Sequence, residues 1–214
     1  MRSSLQTLYS YWNEVRKERI APQRLEIEPS RIAAILSETF MLEVLKPGTY
    51  PYRLAGTRLC EMFGSELRGK NFLDGWNEED RRGLEGRLAT ISEQGAVAHL
   101  TLEGILDARH RVELEGNLLP LLHGGKITRI IGAMSVTSAP HWLGSAPLRH
   151  LRVKRHRLVW PDGRPHASAL RSGGQAPLLP ALSSPDASAV KTDQRRFRVV
   201  EGGRPSGKHD KGQQ

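Results

Sequence analysis

The chain has 214 residues and a formal net charge of +9 at neutral pH, but the charge sits at one end. Residues 1–141 hold 18 Lys+Arg against 18 Asp+Glu, whereas residues 142–214 hold 14 against 5. The single cysteine, Cys60, excludes an intramolecular disulfide and a paired-cysteine metal site, and no apolar run reaches the roughly 18 residues of a membrane span. The N-terminal MRSSLQTLYSYWNEVRKER lacks the apolar core of a signal peptide, so the expectation is a soluble, cytoplasmic protein.

Leu5, Leu8, Tyr9, Trp12 and Val15 recur at helical spacing and predict an amphipathic helix ending near Arg19. Its apolar stripe packs either on its own domain or against a partner. Ala21-Pro22 breaks the helix, and a connector runs to Glu28. Pro29 suits the first turn of a second helix over Ser30–Leu36. Thr39–Leu45 reads as a strand, Pro47-Gly48 as a turn and Tyr50–Leu54 as the returning strand. Gly56, Gly64 and Gly69 then punctuate two short helices, the first over Arg58–Phe63, before an apolar Phe72-Leu73.

Asn77 followed by Glu78, Glu79 and Asp80 is a helix start, with a capping side chain and acids that favour the positive end of the helix dipole. Leu84, Leu88 and Ile91 mark one face of that helix, and Gly95 caps it. Three strands follow. Ala96–Leu106 and Arg111–Leu122 alternate, with Leu100, Leu102, Val112, Leu114 and Leu118 opposed to His99, Glu103, Glu113, Glu115 and Asn117. His123-Gly124-Gly125-Lys126 is a hairpin turn, and Ile127–Thr137 is apolar on both sides, as in a central strand. The alternation predicts one buried and one polar sheet face. The fold expected is α+β: a five-stranded antiparallel sheet with helices packed on one face, plus an N-terminal helix. Residues 1–28 are the helix and connector, 29–141 the domain, and 142–214 a basic, largely disordered tail. Within that tail, Leu148–Trp160 interleaves Leu148, Leu151 and Leu158 with basic residues, and Pro161 limits any helix there to about three turns.

The unit RLAGTRLCEMFGSELRGKNFLDGW, with Phe63-Gly64 and Gly69-Lys70, the helix ending at Gly95 and the final IIGAMSVTS resemble a PAS domain. Together with YWNEVRKERIAPQRLEIEPSRIAAIL, they resemble the short stand-alone PAS proteins of alphaproteobacteria, over about residues 5–140. Ser135-Val136-Thr137 stands where the family usually closes in an Asp-Ile-Thr-like triplet, without the acid. The resemblance implies a signalling regulator that acts through protein contacts, and often a dimer.

Such folds often hold a cofactor between sheet and helices. A covalent flavin site needs an Asn-Cys-Arg-Phe-Leu motif after the Gly-Lys position; here Gly69-Lys70-Asn71-Phe72-Leu73 has no cysteine, and Cys60 lies a helix earlier. A haem-binding histidine on the long helix is missing too, since residues 77–95 contain none. Both features argue against these cofactors. A small apolar ligand among Met62, Phe63, Phe72, Trp76, Ile91, Leu100, Leu102 and Met134 stays open, because pockets and cores use the same residue types. His99, His110 and His123 have no metal-ligand spacing, and no enzyme signature occurs. The expected contact surfaces are the N-terminal helix, through Tyr9 and Trp12, and the outer sheet face, through Glu113, Glu115 and Arg129. The alternatives are a small-molecule sensor with an occupied pocket and an accessory nucleic-acid-binding protein acting through its basic tail.

Overall fold

In the computed structural model the described residues are 3–163. Ser3 caps helix α1 (Ser4–Arg16): its hydroxyl accepts from the Gln6 amide while the Gln6 side chain reaches back to the Ser3 amide. The helix stops three residues short of Arg19, because Lys17 adopts φ 55° and Arg16 folds back to donate to the Arg19 carbonyl at 2.8 Å. The second predicted helix is a 3-10 helix, Pro29–Glu38, bent at Ile32. It leads into strand β1 (Thr39–Glu43), which returns as β2 (Tyr52–Ala55).

Helix α2 (Thr57–Met62) follows. The short helix expected between Gly64 and Gly69 does not form. Both glycines hold positive φ (60° and 83°), which leaves too few residues to nucleate a helix, and a 3-10 turn forms instead at Phe72–Gly75. Helix α3 (Glu78–Gln94) starts on Asn77, which accepts from the Asp80 amide, and ends on Gly95 in the left-handed region. Strands β3 (Val97–Ile105), β4 (Arg111–His123) and β5 (Lys126–Val136) come next as antiparallel neighbours.

A further strand, β6 (His150–Val159), pairs antiparallel with β3 along its whole length, from Val97↔Val159 to Ile105↔His150. The sheet therefore has six strands rather than five, in the order β2-β1-β5-β4-β3-β6. The basic Leu148–Trp160 stretch is neither helical nor part of a tail here. Its entry is fastened by the Leu148 amide on the Met62 carbonyl and the Arg149 amide on the Ile105 carbonyl, each at 2.8 Å. The Val153 amide donates to Asp80 Oδ2 at 3.1 Å. The remainder of the expected tail, from residue 164, lies outside the described residues.

Apolar packing occurs on both sides of the sheet. The inner face carries α2, α3 and the Phe72–Gly75 turn over Phe40, Leu42, Leu102, Leu114, Leu118 and Ile130. On the outer face, α1 and the Pro29–Glu38 helix cover Met41, Leu119, Leu121, Ile131 and Ala133. At roughly 1.5–3 kcal/mol per buried large apolar side chain, both layers contribute materially to the fold.

Candidate functional site

All eight side chains expected to line a ligand cavity fall in the inner cluster. Met62, Phe72, Trp76, Ile91, Leu100, Leu102 and Met134 are buried, and Phe63 packs partly buried against them. They pack against one another, and Phe63, Phe72 and Trp76 also border a cleft of about 230 Å³ with Tyr52, Leu67 and Leu148. Phe40, Tyr52, Phe72 and Trp76 form a continuous aromatic group with ring centroids 5.6–5.9 Å apart, and Trp76 Nε1 donates to the Phe72 carbonyl at 2.7 Å. At the margin of this cluster, Met62 and Met134 border a cleft of about 250 Å³ shared with Glu38 and Arg58.

Glu38 was not singled out by the sequence. Its carboxylate accepts from the Ser4 hydroxyl of α1 and from Arg58 Nη1 of α2, the latter at 2.5 Å. It joins an outer-face helix to an inner-face helix around the end of the sheet. Burial opposes the charge, but the hydrogen bonds from Ser4, Arg58 and Ser135 outweigh it and hold the carboxyl below the usual glutamate range. Its only sequence cue was an acid beside the start of β1, which is too common to be informative.

The expected contact residues separate into two groups. Trp12 is fully buried beneath α1, and its Nε1 donates to the Pro120 carbonyl at 2.7 Å, so it belongs to this chain's own core and not to an exposed surface. Asn117, expected among the solvent-facing residues of β4, is also fully buried. Its Nδ2 donates to the Leu5 carbonyl at 3.1 Å and its Oδ1 accepts from the Ala133 amide at 2.8 Å, which pins the start of α1 to the sheet. Arg129 is half-buried and paired with Glu43 at 2.7 Å, away from Glu113 and Glu115 near the other end of β5.

Glu113 and Glu115 are exposed, as expected. They stand on the part of the outer face that α1 leaves open, and β6 sets a row of cations beside them. Read across the sheet, the rows are Arg152–Glu103–Glu113, Arg155–Thr101–Glu115 and Arg157–His99–Asn117. A bulge opposite Thr101/Leu102 inserts Lys154, which reaches Glu113 at 3.5 Å. Arg111 reaches Glu103 at 3.3 Å. Tyr9 is half-buried at the inner border of this flank, its ring 5.9 Å from that of His99. Between them lies a groove of about 470 Å³ whose other walls include Glu115, Arg155 and Arg157. Burial and the Arg157 guanidinium push the His99 imidazole below its usual value, so it is neutral at pH 7. His110 and His123 lie elsewhere, in or beside turns.

Exposed pairs of this kind contribute about 0–1 kcal/mol each to folding. They do make a patterned electrostatic surface able to orient a charged partner. Among the described residues no group of three or more His, Cys, Asp or Glu is arranged to hold a metal ion, and no helix is long and apolar enough to cross a membrane.

A family model described as a PAS domain matches residues 1–135. No curated protein matches this chain in sequence. Similar solved structures include a variant of RsLOV, 13% identical over 50% of this chain with a TM-score of 0.39; the match spans 66% of that chain, just under two thirds. The blue-light photoreceptor Aureochrome1 LOV, in its light state, is 14% identical over 49% of this chain and 84% of its own, with a TM-score of 0.39. The PAS domain of an HTR-like protein from Haloarcula marismortui is 19% identical over 53% and 94% respectively, with a TM-score of 0.35.

Proposed function

The chain belongs to the PAS domain family, and from that premise we propose that it is a non-catalytic signalling module that binds a protein partner on the β3–β4–β6 flank of its outer sheet face. A signalling or sensory role comes with the family. The observation that supports the finer reading is the ladder of opposite charges, Arg152, Lys154, Arg155 and Arg157 beside Glu103, Glu113 and Glu115, on the part of the sheet that α1 does not cover. Such a surface adds little to folding but gives orientation and partner choice. Tyr9 and His99, at the border of the ladder, supply the apolar contact that a charged rim needs for affinity.

Modulation by a small ligand is secondary in this reading. Such a ligand would sit at the margin of the inner cluster, in the cleft of about 250 Å³ beside Met62 and Met134 or the one of about 230 Å³ beside Phe63, Phe72 and Trp76. The nucleic-acid reading draws on some of the same arginines, and competition separates the two.

The test is quantitative affinity capture with the full-length chain as bait. The double reversal Glu113→Arg with Arg155→Glu is expected to abolish the partner captured by the wild-type chain, while the exposed Glu79→Arg on α3 retains it. Thermal stability should change by no more than about 1–2 kcal/mol in either variant, and both should stay folded. Capture that persists in the double reversal sinks this surface assignment. Loss of the captured partner on adding duplex DNA favours the nucleic-acid reading instead.

A further inference from the structure

The chain has four exposed large hydrophobic residues among those described: Leu25, Leu36, Leu45 and Leu54, at 80%, 40%, 53% and 59% exposure for Leu25, Leu36, Leu54 and Leu45 respectively. Three of them, Leu25, Leu36 and Leu54, line one groove of about 360 Å³ on the opposite flank of the outer face. Its floor is Met41 and Ile131, and its walls are the segment after Arg24, the Pro29–Glu38 helix and strand β2. Scattered exposed leucines need no explanation, but convergence on one concave site does.

Cations outnumber carboxylates around this groove. Arg24 lines it, and the adjoining cleft adds Arg53, Arg68 and Arg129. Glu43 is the nearby counter-charge, and it is shared by Arg53 and Arg129, each at 2.7 Å. Glu26, beside Leu25, is bonded by Arg19 at 2.8 Å. Four guanidinium groups, two of them paired with Glu43, thus stand at the rim of an apolar trough, against Glu26, which Arg19 holds, and the exposed Glu28 between Ile27 and Pro29. A second copy of this chain, docking the same patch on itself, would oppose two cationic rims. The chain's own C-terminal stretch is also basic, with 14 Lys+Arg against 5 Asp+Glu over residues 142–214.

We propose that the groove between Leu25, Leu36 and Leu54 docks an acidic amphipathic helix of another protein, its leucine-type side chains in the trough and its carboxylates on Arg24, Arg53 and Arg68. The match is the helix-in-groove mode, with apolar anchors at i, i+3 and i+4. The site differs from the charged flank of β3–β4–β6, so the two readings stand or fall separately.

Fluorescence anisotropy with the full-length chain tests the proposal. The probe is a labelled four-turn peptide of leucine and glutamate at helical spacing. Saturable binding is expected, weakened about tenfold or more by Leu54→Asp or Leu25→Asp. Leu45→Asp, equally exposed but outside the groove, should leave it unchanged, as should Glu113→Arg. Arg24→Glu or added salt should weaken binding, and a leucine–lysine probe should bind at least about tenfold less tightly. No saturable binding of the acidic probe, equal binding of the lysine probe, or indifference to both aspartate substitutions would falsify the proposal. So would sedimentation showing a wild-type dimer that Leu54→Asp converts to monomer, since the groove would then belong to a second copy. The altered leucines are exposed, and an unchanged thermal melt shows that each variant is folded.

Discussion

Asn117 and Glu115 occupy the same face of β4, two residues apart, yet one is fully buried and the other exposed. The alternation of Arg111, Glu113, Glu115 and Asn117 predicts a uniform polar face, and period-2 patterning has no means of saying where that face passes under a helix. Asn117 is chemically suited to the passage: one amide group satisfies both the Leu5 carbonyl and the Ala133 amide. Asn117→Ala removes both bonds and leaves two partners desolvated, so a loss of about 2 kcal/mol is expected from urea unfolding, against less than about 0.5 kcal/mol for Glu115→Ala. An equal effect of the two would show that α1 does not lie over Asn117. The eight inner-cluster residues were legible because alternating strands and the Leu84–Leu88–Ile91 stripe both point to one interior. The Glu38 node was not, because its partners, Ser4, Arg58 and Ser135, are scattered along the sequence and meet only through topology.

At the scale of elements, the strand missing from the sequence reading is β6. Its alternation is present but interrupted: Leu151 and Val153 face the inner cluster, the bulge at Lys154 shifts the phase, and Leu158 resumes. The phase break hides the period-2 pattern under the basic residues. The physical reason for the strand is the edge it covers. Without it β3 would present its unpaired backbone along a sheet edge; with it the edge becomes a strand bearing Arg152, Lys154, Arg155 and Arg157, charges that discourage pairing with another sheet. A chain ended after residue 141 also loses the buried Leu148 and Leu151. Its urea midpoint is expected to fall by the equivalent of about 3 kcal/mol or more, with rising light scattering at the concentrations of ordinary preparation. If the 141-residue chain melts like the full-length protein, β6 is not part of the folding unit.

For the whole molecule, the Glu38 carboxylate ties the two helical layers together around the end of the sheet. Its folded-state pKa is depressed, so its stabilising contribution is fully present above the ordinary glutamate value and is lost as pH falls through the lower folded value. Glu38→Gln is therefore expected to lower the urea midpoint at neutral pH and to narrow its gap to the wild-type chain as the solution is acidified through that window. A gap independent of pH would mean that the charge is not what joins the layers. The neutral region 1–141 and its inner core could be read from composition and periodicity, whereas the double coverage of the sheet could not, because one apolar stripe on α1 fits its own sheet and a foreign surface equally well. The same coverage has a stoichiometric consequence. The ridge made by α1 and the Pro29–Glu38 helix stands between the leucine groove and the charged ladder. On the two proposals above, ligands seated on opposite slopes of that ridge would not compete, and a single chain would serve as a bridge in a ternary complex instead of a switch passed from one partner to the next.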